Sequence, residues 1–231
     1  MGIDWDFMWE MLPELVSVLP VTIELSVVAL LLSLPASLLF AFILLKEIPF
    51  LSKAVKFYIS LLRGTPVILQ MYVIYLMLPS LLQNVLSGHG VDVFSVPDIL
   101  YAFFALSLYP TAFLTEAFRS SILSVSEGQW EAGAMAGLKQ GQIFFRIIFP
   151  QAMSVAVPIL GNIIIDTIKA TSLAFTMSVT EVMGKAKILG GMSLKYFEMY
   201  LDVFFVYVIF IGMIDLLLKW AEKKNTLYKG V

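Results

Sequence analysis

The sequence contains no cysteine and a single histidine, His89, in 231 residues. The first absence excludes a disulfide framework, a thiol nucleophile and cysteine metal ligands. The second excludes histidine-rich metal sites and histidine-centred catalytic triads. Charge is scarce too, with Asp, Glu, Lys and Arg together at 14%. No Gly-x-x-x-x-Gly-Lys-Ser/Thr run occurs, so this chain cannot build the standard phosphate cradle for ATP. Neither an internal repeat nor an inverted half-and-half pattern is visible, which argues against many secondary-transporter folds. No low-complexity segment or composition break separates a second domain, so residues 1–231 read as one unit. The first ten residues carry Asp4, Asp6 and Glu10 and no Lys or Arg. A secretory signal needs a basic start and a cleavage site, so the first apolar span is expected to be a retained anchor.

What the chain has is apolar surface: 60% hydrophobic residues and a mean hydropathy of +0.91. No soluble domain of this size needs so much, and the class is a multi-pass, all-α membrane protein. Asp4 to Leu19 mixes Trp5, Phe7, Trp9 and Leu12 with acids and reads as a helix lying in the interface. Leu25 to Leu45 is uncharged and long enough to cross ~30 Å of hydrocarbon at ~1.5 Å per residue. Further spans are expected near Phe57–Leu86, Pro97–Leu123, from Pro150 through a polar stretch at Asp166–Ser172, and Phe197–Trp220. Five transmembrane helices place the termini on opposite sides. One side collects Lys46, Lys53, Lys56, Arg63, Arg119, Lys139, Arg146, Lys219, Lys223, Lys224 and Lys229. The other has Lys185, Lys187 and Lys195. That bias of eleven to three predicts the C-terminus in the cytoplasm and the N-terminus outside. The three outer lysines are an exception, which a short helix packed at the outer mouth could accommodate.

The longest interruption of the apolar pattern, about 124–150, falls on the cytoplasmic side. Ser124 with Glu127, or Ser126 with Gln129, can form a capping box. The helix that follows is built from Ala132, Gly133, Ala134, Ala136 and Gly137, small enough for another protein's backbone to approach closely, with Glu131 left to bond to it. Gly137 is placed to end that helix in a left-handed conformation. An amphipathic piece, Gln142 to Ile148, then leads into Pro150, which suits the first turn of a new helix. The stretch reads as a docking element between two spans.

Glu131-Ala132-Gly133, Gly137 and Ile147-Ile148-Phe149-Pro150 resemble the cytoplasmic Glu-Ala-Ala loop of permease subunits in ATP-binding-cassette importers. The departures are Gly133 for the second Ala and Phe149 for Leu. Arg63-Gly64-Thr65-Pro66, Glu116-Ala117-Phe118-Arg119 and Lys169-Ala170-Thr171-Ser172-Leu173 resemble segments of the polar amino acid branch of that family. Ala170 stands where many members carry Asp. Together these cover about residues 57–182. By physical reading alone, Arg63 is a headgroup anchor at a helix start, and Glu116 with Arg119 is an intrahelical pair.

The resemblance implies a five-span permease fold with a coupling helix formed by Glu131, Ala132, Gly133, Gly137 and Pro150. It implies two permeases, identical or related, above a dimer of ATPase subunits that bind the ATP and magnesium. A solute-binding protein would deliver an amino acid from outside, and the chain itself would be no enzyme and hold no cofactor. No nucleic-acid partner is expected. Residues at the polar interruptions of the spans are the candidate substrate contacts: Tyr109 and Thr111 flanking Pro110, then Asn162, Asp166, Thr167, Ala170, Thr171 and Ser172. Pro110 is either a simple kink or an opened helix facing that cluster. Asp166 can pair with Lys169, and Asp215 is another possible partner. A neutral or weakly polar amino acid, cystine among them, is expected, because Ala170 and Ile163 offer no carboxylate to a basic side chain. The alternative from another class is an ion-coupled secondary carrier with Asp166, Lys169 and Asp215 as a proton relay; a third is a membrane partner with no pathway of its own.

Overall fold

The computed structural model describes residues 2–86 and 92–225. His89, with its flanking Gly88 and Gly90, and Lys229 lie outside the described residues. All regular structure among the described residues is helical: α1 Trp5–Ser17, α2 Leu19–Leu45, α3 Leu51–Gly64, α4 Val67–Leu86, α5 Asp98–Leu123, α6 Glu127–Met135, α7 Gln140–Ile143, α8 Phe149–Ala170, α9 Val182–Ser193 and α10 Tyr196–Asn225. Among the described residues, five stretches are long and apolar enough to cross a membrane: Trp5–Leu45, Val67–Leu86, Asp98–Leu123, Gln140–Met177 and Tyr196–Lys223.

The hub is α5. Over half of its apolar window is buried (56%), against 11% for α4 and 17% for α10. It packs on α2, α8, α4 and α3, presenting small residues, Ala102, Ala105, Ala112 and Ala117, that let those helices approach. The outer spans keep most of their apolar surface turned outward, which suits lipid or a partner rather than an internal core.

Pro110 lies inside α5 and is buried. It donates no N–H, so neighbouring carbonyls need other donors. The Thr111 hydroxyl donates to the Ser107 carbonyl at 2.7 Å, and Ser33 of α2 donates to the same oxygen at 2.9 Å. Tyr58 of α3 donates to the Leu108 carbonyl at 2.8 Å. Burial pushes the Tyr58 hydroxyl up to about 12, so it remains a donor at ordinary pH. The helix is thus stitched to two neighbours at its proline.

The expected second span, Phe57–Leu86, is two helices. Thr65 is extended (φ −122°, ψ 143°) because the ring of Pro66 disfavours a helical residue before it. Gln70 then uses its amide to satisfy the Leu62 and Thr65 carbonyls at 2.8 and 3.0 Å. Arg63 therefore belongs to the end of a short amphipathic helix and not to the span. The N-terminal segment is a helix packed on the C-terminal elements. Asp4 caps α1 by accepting from the Phe7 amide at 3.0 Å, and α1 packs through Leu15 against Val182, Ala186, Met199, Val203 and Val206. The outer lysines find places: Lys185 pairs with Glu14 at 2.8 Å and Lys195 with Asp4 at 2.6 Å, while Lys187 sits over the Phe175 ring at 4.7 Å.

Candidate functional site

The 124–150 stretch folds as a helix, a left-handed stop and a wide turn. Ser126 is the N-cap of α6, accepting from the Gly128 amide at 3.3 Å. Glu127 in the first turn faces the positive end of the helix dipole. Ser124 instead donates to the Ser121 carbonyl at 2.8 Å. At the other end Gly137 has φ +75°, the Gly137 amide reaches Ala134 at 2.9 Å and the Leu138 amide reaches Gly133 at 3.1 Å. Those paired backward bonds are the Schellman stop, and its left-handed residue favours glycine.

Gly133 plays a different part from its small neighbours. It is buried, and a Cβ there would lie 2.9 Å from Cγ1 of Ile143. Its smallness serves the contact between α6 and α7, not an outer surface. The outward face is Glu131, Ala132, Ala134, Met135, Ala136 and Gly137, all exposed, with Met135 at 89%. Trp130 stacks near Phe144 with centroids 6.4 Å apart, and Phe144 in turn meets Phe149 at 6.1 Å. Ile148 is fully buried beneath them. Phe144–Ile148 form a π turn whose wider spacing runs into α8. Pro150 sits in the first turn of α8, where its missing N–H costs little. The chain is helical before it, so the proline follows a turn rather than a loop.

The second candidate group lies where α5 meets α8. Tyr109 is half-buried with its ring 4.7 Å from Phe113, and its hydroxyl is an electrostatic neighbour of Asp166. Asn162, Asp166 and Lys169 share one exposed face of α8, spaced four and three residues apart as one helical stripe. Asp166 and Lys169 pair at 3.3 Å with about half of each side chain exposed. Thr111, Thr167 and Thr171 are buried. The hydroxyls of Thr167 and Thr171 donate to Ile163 and Ile168 carbonyls of their own helix at 2.7 Å, as Thr111 does within α5. Ser172 donates to the Lys169 carbonyl at 2.8 Å. Ala170 packs against the apolar cluster around Leu25 and Met71. The stripe and the buried threonines are thus on different faces of α8. Asp215 pairs with Lys219 at 2.6 Å, so Asp166, Lys169 and Asp215 do not assemble into a relay.

Glu116 and Arg119 pair at 3.0 Å as their spacing predicts. Two acids escaped sequence reasoning. Glu181 is fully buried, caps α9 by accepting from the Met183 and Gly184 amides at 2.8 Å each, and receives the Tyr207 hydroxyl at 3.3 Å. Burial raises its carboxyl above the ordinary range, against the lowering effect of those bonds and of Lys187. Asp202 is buried in α10 and one of its oxygens has no partner. An acid within an otherwise apolar run was the available signal for Asp202.

Residues 33–225 match the family described as binding-protein-dependent transport system inner membrane component, and the chain belongs to that family. A probable amino-acid ABC transporter permease protein, PatM of Vibrio harveyi, is 36% identical over 224 residues, covering 97% of each chain. The L-cystine transport system permease protein TcyL of Bacillus subtilis is 31% identical, covering 96% of this chain and 91% of its own. The arginine ABC transporter permease protein ArtM of Haemophilus influenzae is 32% identical, covering 93% of each. Among solved structures, an amino acid ABC transporter crystallised with histidines superposes with a TM-score of 0.82 at 25% identity, covering 97% of this chain and all of that one. The protein is therefore a multi-pass permease component of a bacterial inner membrane, with the fold that its five spans and interrupted motif led us to expect.

Proposed function

We propose that this chain is the permease subunit of an ATP-driven amino acid importer and that α6 is its coupling helix. The observation that carries the reading is the outer face of α6. Its small residues and Glu131 stand exposed, held by a Schellman stop and by the Gly133–Ile143 contact. Such a face has little to do unless another protein covers it. The partner is a dimer of ATPase subunits that binds ATP and magnesium. A second permease, identical or related, completes the pathway, and an extracytoplasmic binding protein delivers the substrate. The N-terminus lies outside and the C-terminus in the cytoplasm, on the eleven-to-three lysine and arginine bias. Closure of the ATPases pushes α6 and, through the aromatic wedge at Phe144–Phe149, the whole of α8.

The substrate is a neutral or weakly polar amino acid, cystine among them. The names of the relatives do not choose, since both cystine and arginine permeases match at similar identity. The residues favour the neutral class. Asp166 is already engaged by Lys169, and Ala170 and the buried Ile163 add no acid. Because the chain has no cysteine, one introduced at Met135 tests the coupling assignment directly. It should cross-link to a co-purifying ATPase subunit, and failure to do so in an assembled, active complex would refute the assignment.

A further inference from the structure

A cleft of about 430 Å³ opens between α3 and α5, lined by Lys56, Ile59, Ser60, Arg63, Gly64 and Glu116. It takes no part in the docking face or in the α8 stripe. Glu116 is already paired with Arg119, whereas neither Lys56 nor Arg63 forms an ion pair among the described residues. The Arg63 guanidinium rests 5.2 Å above the Phe113 ring, which holds it at the cleft wall while leaving its edge donors free. The cleft therefore offers an anchored guanidinium, an unneutralised ammonium and a hydroxyl to an anion.

The surroundings decide which anion. α3 joins the end of the α2 span to the start of α4, so it lies at the membrane surface. Glu116 is seven residues before the end of α5, about 10 Å along the helix at 1.5 Å per residue. Around α3 the side chains divide into three arcs. Ser52, Val55, Ile59 and Leu62 are buried. Lys56, Ser60 and Arg63 form an exposed row beside them. Phe57 and Leu61 form the next row, 70% and 48% exposed. A free anion in water would have no use for that last row, but acyl chains would cover it while their headgroup met the basic one. This is the pattern of an interfacial helix against an anionic leaflet, and basic pockets between spans hold lipid headgroups.

We propose that this cleft binds the phosphate headgroup of an anionic phospholipid, with Lys56 and Arg63 as its ligands and Phe57 and Leu61 against its chains. The proposal is independent of the substrate reading and of the identity of any ATPase partner. It is tested with the full chain and its co-purifying subunits in phosphatidylcholine nanodiscs. These are doped with a photoreactive phosphatidylglycerol or with photoreactive phosphatidylcholine of the same chains. The glycerol probe should label peptides within 51–64 and 113–119 at least tenfold more than the choline probe. Each basic residue facing an anionic surface contributes about fivefold, so a Lys56→Gln/Arg63→Gln variant should lose roughly thirtyfold of that label. Lys46→Gln removes the same charge from the nearby end of α2 and should leave it intact. Equal labelling by the two probes overturns the proposal, as does retained labelling in the double variant or equal loss in Lys46→Gln. Suppression by millimolar inorganic phosphate overturns it in favour of a soluble anion. Should the double variant fail to insert, the comparison of probes on the unaltered chain still decides.

Discussion

Lys195 Nζ lies 2.6 Å from Asp4 Oδ2, and the same ammonium stands 4.3 Å above the Phe7 ring. One cation thus ties the first turn of α1 to the turn between α9 and α10, 191 residues apart in sequence. This explains one of the lysines that broke the charge bias: it is neutralised where it stands. The bond from Lys195, followed by the Phe7 amide, holds the Asp4 carboxyl below its ordinary value.

The sign of the pH effect follows. A carboxyl lowered in the folded state stabilises above its unfolded pKa, and that contribution is lost as pH falls through the folded value. The tether should therefore hold from neutral pH to about pH 4 and release below it. Protection of the α1 amides, taken as exchange relative to the intrinsic rate at each pH, should fall there. Asp4→Asn, which keeps a capping oxygen, should show low protection at every pH. An Asp4→Asn variant whose α1 exchange retains the acid-dependent step would show that another group controls it.

Gly133 and Gly137 should respond differently to substitution. Gly133→Val forces a side chain into Ile143 and should destabilise by about 1–3 kcal/mol through overpacking. Trimming the neighbour with Ile143→Ala should recover part of that loss. Gly137 has nothing within 4 Å of a built Cβ, so Gly137→Val costs about 1–2 kcal/mol through its left-handed backbone alone. Ile143→Ala should not rescue it. Melting of the purified complex separates the two, and transport-coupled ATP hydrolysis should fall in Gly137→Val with the spans still folded.

Glu181 gives a second pH dependence, opposite in sign. Burial raises its carboxyl, so its stabilising share is full below the ordinary glutamate value of 4.5 and is lost as pH rises through the raised value. Glu181→Gln removes that slope. It also turns an amide group toward one of the two backbone N–H donors, which leaves a buried donor unmet at about 1–3 kcal/mol. The variant should melt lower than the parent at neutral pH, with a flatter pH profile above the ordinary glutamate value. An unchanged profile would mean that Glu181 does not carry the titration.

The sequence made some of this plain and hid the rest for identifiable reasons. Gly137 was readable as a helix stop because a glycine after a run of small residues has few other uses. The five spans and the Glu116–Arg119 pair rest on hydropathy and helical spacing, both local signals. Gly133 looked like part of the docking face because its partner, Ile143, lies across a reversal that no periodicity reveals. Pro66 marked a helix start, but apolar residues on both sides of it merged α3 with α4. Thr167 and Thr171 were grouped with Asp166 by composition, yet steps of one and five residues turn them by about 100° and 140° to the buried side of the helix. Glu181 is acidic in a polar loop, and only the fold buries it against Tyr207.

The Asp166–Lys169 pair governs the last prediction, which concerns the substrate. While Lys169 engages Asp166, the exposed stripe of α8 offers no free carboxylate to a basic amino acid. Lys169→Gln frees the acid. An arginine or lysine side chain could then form charge-assisted bonds of about 1.5–3 kcal/mol each, a gain of roughly ten- to hundredfold in affinity at one bond. Competition uptake in reconstituted vesicles should show weak inhibition by arginine and lysine in the parent, strong inhibition by neutral amino acids or cystine, and a gain for the basic ones in Lys169→Gln. Ala170→Asp adds an acid at a half-buried position and should give a smaller gain, because the cluster it packs against is apolar. Strong inhibition of the parent by arginine, with none by neutral amino acids or cystine, would overturn the neutral-substrate reading. It would leave the permease assignment, which rests on the family and the fold, untouched.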